Sequence, residues 1–204
     1  MDVIFDFGGV VFRWRPAVLL AQRLPAHIAT PQALERLTDG FFQSYGGDWG
    51  EFDRGTIEPE DLAQRIARRL GLQVPEVRSV IDAIPDELQA IGPTVELMRR
   101  VKDAGHRLFY LSNMPRPFAA HLVRHHAFFE WFDGGVFSSH VQLIKPDPAI
   151  FRHALQAFGS TPAQAVFLDD HRVNVETARE LGIRTVHFTD AAQAQAELQA
   201  LGVL

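Results

Sequence analysis

Side chains able to do chemistry fall at four places in the chain. Asp6 closes the apolar run Val3-Ile4-Phe5 and is followed by Gly8-Gly9. Ser112-Asn113 closes a second apolar run, residues 106–111. Lys145 stands before Pro146-Asp147-Pro148, and Asp169-Asp170 close the run 165–168. A carboxylate at the end of a buried strand is costly unless water, a metal or hydrogen bonds meet it. Asp6 by itself is therefore either a buried structural acid or the head of an active site. Three acids, a hydroxyl and an amide on one edge would suit a hard cation and the oxygens of an anion. Lys145 adds a positive charge before a helix. Lysine occurs only at positions 102 and 145, so a lysine here is not routine surface decoration, although a surface role is the plainer alternative.

The elements that must bring these residues together can be read in order. Val3 to Phe5 is a buried strand broken by the two glycines. Residues 10–15 alternate in part and read as a short hairpin or flap on the lip of a sheet. From Pro16 to Ile91 the pattern is helical. Pro16–Leu24, Pro31–Leu37, Pro59–Leu70 and Pro75–Ala83 each begin with proline, which suits a first helical turn. About 75 residues between two strands far exceed what one crossover needs, so residues 16–92 read as an inserted helical cap. Strands are then expected at 106–111, 134–138, 165–168 and 183–188. Helices are expected at 93–104, 117–125, 149–158, 172–181 and 191–200. This alternation implies an α/β fold with a doubly wound, Rossmann-like, mainly parallel sheet. Residues 1–15 and 93–204 would form its core domain. In such a sheet the strand ends carrying Asp6, Ser112-Asn113 and Asp169-Asp170 share one edge, where ligands bind.

With those pieces placed, the chain resembles the haloacid dehalogenase (HAD) superfamily. The matching pieces, in order, are Asp6-Phe7-Gly8-Gly9-Val10, Ser112-Asn113, Lys145-Pro146, and Asp169-Asp170 followed by Asn174 and Ala178. The helical insertion falls where that superfamily carries its C1-type cap. Phe52-Asp53-Arg54-Gly55-Thr56-Ile57 is similar to the branch of glucose-1-phosphatases and of the N-terminal phosphatase domain of soluble epoxide hydrolases. The resemblance implies a phosphatase that hydrolyses a small phosphorylated metabolite, a sugar phosphate among the candidates. Asp6 would be the nucleophile and form an aspartyl-phosphate that water then hydrolyses. Mg²⁺ would be held by Asp6, the Gly8 carbonyl and the acidic pair, with Asp170 as direct ligand and Asp169 bonding a metal-bound water. Ser112, the Asn113 backbone and Lys145 would hold the phosphate oxygens, and Gly9 would let the backbone come close to them. Asn174 would orient the acidic pair.

One departure stands out. Most phosphatases of the superfamily carry a second aspartate two residues after the nucleophile, as general acid and base; here that position is Gly8. Such help is worth typically about 10²–10⁴-fold in rate. A sugar 1-phosphate, another acid, a histidine or water would have to make up for it. The gap also supports a rival reading, a binding or regulatory protein on the same fold. A dehalogenase-type hydrolase would use Asp6 without a metal, which the Asp169-Asp170 pair argues against. A phosphonatase would need a Schiff-base lysine in the cap, and residues 16–92 hold none.

The remaining features set bounds. A net charge of -5 with no basic patch argues against a nucleic-acid partner. No run approaches the ~20 apolar residues of a membrane span. The absence of cysteine excludes disulfides and thiolate zinc sites. The first residues do not read as a signal peptide, and a cytoplasmic location is expected. His121 and His125, one turn apart, lack a third zinc ligand and read as an exposed face. Phe41, Phe42, Tyr45 and Trp49 are either the cap's core or a wall over the substrate. Tyr45, Trp49 and Arg54 are the candidates for substrate contact from the cap. The arginines at 65, 68 and 69 read as a solvated helix face.

Overall fold

The computed structural model describes residues 1–204. Five strands form one sheet: β1 (Asp2–Phe5), β2 (Arg107–Ser112), β3 (Gly134–Phe137), β4 (Ala165–Asp169) and β5 (Arg184–His187). All neighbours are parallel, in the order β3-β2-β1-β4-β5. β1 and β4 are buried along their whole length, as the unbroken apolar runs require of strands covered on both faces. Phe5 pairs with Leu168 on one side and Tyr110 on the other. Asp6 and Asp169 therefore sit side by side, one step past the last apolar pair. The chain order changes direction at β1, so this edge is the switch point where open sheets bind ligands.

The period-two alternation divides strand residues between two apolar clusters, one per face. Ile4, Phe109, Leu111 and Phe167 point to the smaller cluster with Ile150 and Phe151 of α10 (Pro148–Ala157) and Ala178 of α11 (Arg172–Glu180). Val3, Phe5, Leu108, Val166 and Leu168 point to the larger one. That face is covered by α7 (Gly92–Asp103), α8 (Arg116–His125) and α12 (Ala191–Ala200).

Between β1 and α7 lie six helices: α1 (Pro16–Arg23), α2 (Pro31–Phe42), α3 (Gly47–Arg54), α4 (Pro59–Leu70), α5 (Val74–Ile81) and α6 (Ile84–Glu87). Prolines occupy the first turn of α1, α2, α4 and α5 as expected. Their apolar residues, such as Leu62, Ile66 and Val77, belong to the same cluster of 41 buried residues as the sheet, so apolar packing runs unbroken from these helices to the sheet. α2 extends past the expected Leu37 to Phe42. α3, α6 and the short α9 (Ser138–Val141) were not expected. Gly47 and Gly50 give α3 poor intrinsic helicity. It forms because Trp49 and Phe52 are buried and because α4 clasps it: Arg65 binds Asp48 and Glu51, and Arg69 binds Asp48. The arginine run on α4 is thus not simply solvated.

Residues 10–15 do not form a hairpin. Phe7 O accepts from Val10, Val11 and Phe12 N–H in a tight turn. The chain entering the helical segment then lies antiparallel to the chain leaving it: Arg13 N–H donates to Gln89 O at 2.9 Å and Ile91 N–H to Val11 O at 2.8 Å. Glu87 fastens this crossing. It accepts from Arg15 Nε at 2.8 Å and Nη2 at 3.1 Å and lies 3.4 Å from Arg13 Nε. Burial pushes the Glu87 carboxyl up, but the hydrogen bonds from Arg15 and the charge of Arg13 outweigh it and hold the group below its ordinary value. A carboxylate held down in this way contributes stability above its unfolded pKa of about 4.3, and that contribution is lost as pH falls through the folded value. Glu87→Gln is expected to flatten the acid limb of a urea-unfolding stability curve. An unchanged limb contradicts this assignment.

Candidate active site

Asp6, Asp169 and Asp170 gather beyond the paired ends of β1 and β4, each offering a carboxylate oxygen within 4.8 Å of the others. Lys145, from the loop before α10, enters from the side. Its Nζ lies 2.8 Å from Asp6 Oδ1 and 2.6 Å from Asp169 Oδ2, with its side chain 1% exposed. A buried lysine needs paired charge. Burial pulls its ammonium down, but Asp169 and Asp6 more than offset this and hold it charged. The loop is clamped to the end of β2: Asn113 Nδ2 donates to Lys145 O at 2.9 Å, and Lys145 N–H donates to Asn113 Oδ1 at 2.8 Å. The Asn113 side chain thus positions Lys145.

The two adjacent acids have different surroundings. Asp169 is saturated: it accepts from Lys145 Nζ, from His171 N–H at 2.7 Å and from Asn174 Nδ2 at 3.0 Å on both oxygens. It is fully buried and serves to hold Lys145 in line. Asp170 Oδ1 is buried without any hydrogen-bond partner. An orphaned buried carboxylate oxygen is expensive unless a cation meets it. The charge balance points the same way, with three acids set against one buried lysine. Burial pushes the Asp6 carboxyl up to about 8; Lys145 opposes this, while Asp169 and Asp170 add to it. Burial raises Asp170 as well, with His171 pulling against it. The residues therefore fit a hard divalent cation, with Asp6 and Asp170 as the carboxylates free to hold it.

Asp6, Gly8, Ser112, Asn113, Lys145 and Asn174 line a cavity of about 310 Å³ above this edge, and Tyr45 and Trp49 close it from the helical segment. Trp14 Nε1 donates to Tyr45 Oη at 3.0 Å and fixes it. Phe41 and Phe42 are buried behind Trp49 as packing. Arg54 is not part of the cavity wall. On a helix, residues four apart share a face, so Trp49 on α3 is joined in the wall by Asp53 and not by Arg54. Asp53 is buried and escaped the sequence reading. The signal was present in its spacing from Trp49, but α3 itself was not legible. Gly9 lies outside the cavity wall as well. Its φ is +76°, and a Cβ there would fall inside the Asp170 carboxylate. Its lack of a side chain makes room for Asp170. Gly9→Ala is therefore expected to displace Asp170 and to weaken binding of a divalent cation, titrated as Mg²⁺, by roughly tenfold or more. An unchanged Mg²⁺ titration contradicts this. His121 and His125 stack at 4.1 Å on α8, outside the only cluster of acids and histidines suited to a metal.

The chain is similar to known proteins over nearly its whole length. The family model described as haloacid dehalogenase-like hydrolase matches residues 3–182. The sesquiterpene phosphatase astK of Aspergillus oryzae is 29% identical over 97% of this chain and 94% of its own length. The drimenol cyclase drtB of Aspergillus calidoustus is 26% identical over 96% of the chain, which spans only 35% of that protein. Among solved structures, the HAD family enzyme bt-2542 of Bacteroides thetaiotaomicron superposes with a TM-score of 0.75 at 19% identity, over 97% of both chains. Its complex with magnesium and inorganic phosphate gives 0.73 over 92% of this chain and 93% of that one. No helix is long and apolar enough to cross a membrane.

Proposed function

The chain belongs to the haloacid dehalogenase-like hydrolase family, and on that premise we propose that it is a Mg²⁺-dependent phosphatase whose substrate is a small, largely apolar phosphate monoester. The carrying observation is the cluster Asp6, Asp169 and Asp170 around Lys145, with one buried acid oxygen left over for a cation. Residues 1–15 and 93–204 supply this machinery, and residues 16–92 act as the cap that closes the cavity.

Asp6, at the end of β1, attacks phosphorus in line. Phe7 N–H donates to Asp6 Oδ1 at 2.7 Å and orients the carboxylate. Lys145 stands against the same oxygen and neutralises charge on the phosphoryl oxygens, which the Ser112 hydroxyl and the Asn113 backbone help to bind. Asp169 and Asn174 keep Lys145 from swinging away. Mg²⁺, held by Asp6, Asp170 and the Gly8 carbonyl, would offset the charge of the phosphate and of the ionised Asp6. Water then cleaves the aspartyl-phosphate.

The wall supports an apolar over a sugar-like substrate. Trp14, Trp49, Ile84, Leu88, Phe118 and Ile144 face the space above the phosphate end. A sugar would meet few polar groups there, Ser44, Tyr45 and Asp53 among them, whereas an apolar alcohol gains about 25 cal/mol per Å² buried against the apolar side chains. The full-length likeness to a sesquiterpene phosphatase supports the same reading. The test is phosphate release from an aryl phosphate, a prenyl monophosphate and a sugar 1-phosphate, with Mg²⁺ and with EDTA. The expected order is prenyl over sugar by at least about tenfold in kcat/KM, with no turnover in EDTA. Preference for the sugar contradicts the apolar assignment. Turnover unaffected by EDTA contradicts the metal.

A further inference from the structure

We propose that Asp53, supplied by the cap, is the general acid and base of the reaction and takes the role that Gly8 leaves unfilled. The inference rests on the phosphatase reading. An apolar alcohol is a poor leaving group and needs a proton as its bond to phosphorus breaks. Gly8 has no side chain to give one. No crowding requires glycine there, since a Cβ would make only ordinary contact with Trp14 at 3.9 Å.

Besides Asp6, Asp53 is the one acid that lines the cavity, and it comes from the cap rather than from the sheet edge. It is 4% exposed and lines the same cavity as Asp6, Gly8 and Lys145. Its carboxyl takes part in no hydrogen bond or ion pair of the fold. A buried carboxyl with no partner is costly to keep as packing alone. Its position is nevertheless fixed from the core. Met114 N–H, next to Asn113, donates to Ser138 Oγ at 2.8 Å, and Ser138 Oγ donates to Asp53 O at 2.5 Å. Gly55 lets the end of α3 press onto α9, where a Cβ would meet Ser139 O at 2.7 Å. The turn that binds phosphate and the acid from the cap are thereby held in one frame. Burial pushes the Asp53 carboxyl well above its ordinary value; Lys145 opposes this and Asp6 adds to it. Protonated Asp53 is the form a leaving alkoxide requires.

The step balances. As the Asp6 oxygen bonds to phosphorus and the ester P–O bond breaks, Asp53 gives its proton to the departing oxygen, yielding the free alcohol and an Asp53 carboxylate. That carboxylate then takes a proton from the water attacking the aspartyl-phosphate. The P–O bond to Asp6 breaks, and inorganic phosphate, the Asp6 carboxylate and protonated Asp53 are restored.

The test compares kcat/KM for an alkyl phosphate and an aryl phosphate in wild type, Asp53→Asn and Asp53→Glu. This constant reports phosphoryl transfer to Asp6, and only the alkyl ester needs a proton on its leaving group. Asp53→Asn is expected to lower the alkyl-to-aryl ratio by about 10²-fold or more. Asp53→Glu, which keeps the acid, is expected to restore most of that ratio. An Asp53→Asn variant that loses both activities equally, or neither, overturns the inference while wild-type turnover leaves the phosphatase reading standing. A wild type that hydrolyses neither ester overturns both.

Discussion

Asp6→Asn is expected to lower phosphatase turnover by at least about 10⁴-fold while leaving the fold intact or more stable. The first effect follows from covalent catalysis, because an amide cannot form the acyl phosphate and no neighbouring carboxylate can take its place. Asp169 is engaged on both oxygens by Lys145, Asn174 and the His171 amide. Asp170 is displaced towards Gly9 and His171. The second effect follows from charge. Three acids share one buried ammonium, and burial already pushes the Asp6 carboxyl up to about 8. Replacing it with a neutral isostere removes repulsion from Asp169 and Asp170 in the metal-free protein, and the amide oxygen can still accept from Phe7 N–H. Steady-state kinetics and thermal unfolding in EDTA, measured on the same preparation, check both effects. Residual activity above about 1% of wild type contradicts the role given to Asp6.

Lys145→Met is expected to damage both activity and stability. Lys145 holds Asp6 at 2.8 Å and Asp169 at 2.6 Å, and its side chain is 1% exposed. Removing one partner of a buried charge set typically costs about 3–5 kcal/mol, because the remaining charges stay buried without compensation. The loss should be smaller in acid. Without the ammonium, Asp6, which burial already pushes up, binds its proton still more tightly in the folded than in the unfolded chain, so the variant gains stability as pH falls. Urea unfolding at pH 5 and pH 8 checks the sign: the deficit against wild type is larger at pH 8. Turnover is expected to fall by about 10²–10³-fold through loss of a phosphate-oxygen contact. A variant as stable as wild type at both pH values contradicts the ion-pair account.

Much of this was legible in the sequence for a simple reason. The site sits at strand ends, and buried parallel strands are unbroken apolar runs whose ends are marked by the polar residues themselves. Phe5-Asp6, Leu111-Ser112 and Leu168-Asp169 each show that step, and parallel topology then brings them to one edge. The helical segment was less legible. Its prolines mark where helices begin, but α3 carries two glycines and is stabilised by the arginines of α4 and by buried aromatics, which are tertiary effects. Without α3 there was no helical phase to separate Asp53, in the wall beside Trp49, from Arg54, outside it. The different duties of Asp169 and Asp170 were equally hidden. Adjacent acids look alike in a sequence, and only the reach of Lys145 and Asn174 to one of them tells them apart.

The most direct test is to quench the protein with acid during turnover of an aryl phosphate and to map any phosphoryl group by peptide mass. The account predicts one phosphoryl group, carried by the peptide containing Asp6, formed with Mg²⁺ and absent in Asp6→Asn. Turnover with no phosphorylated peptide, or with the phosphoryl group on another residue, would contradict it.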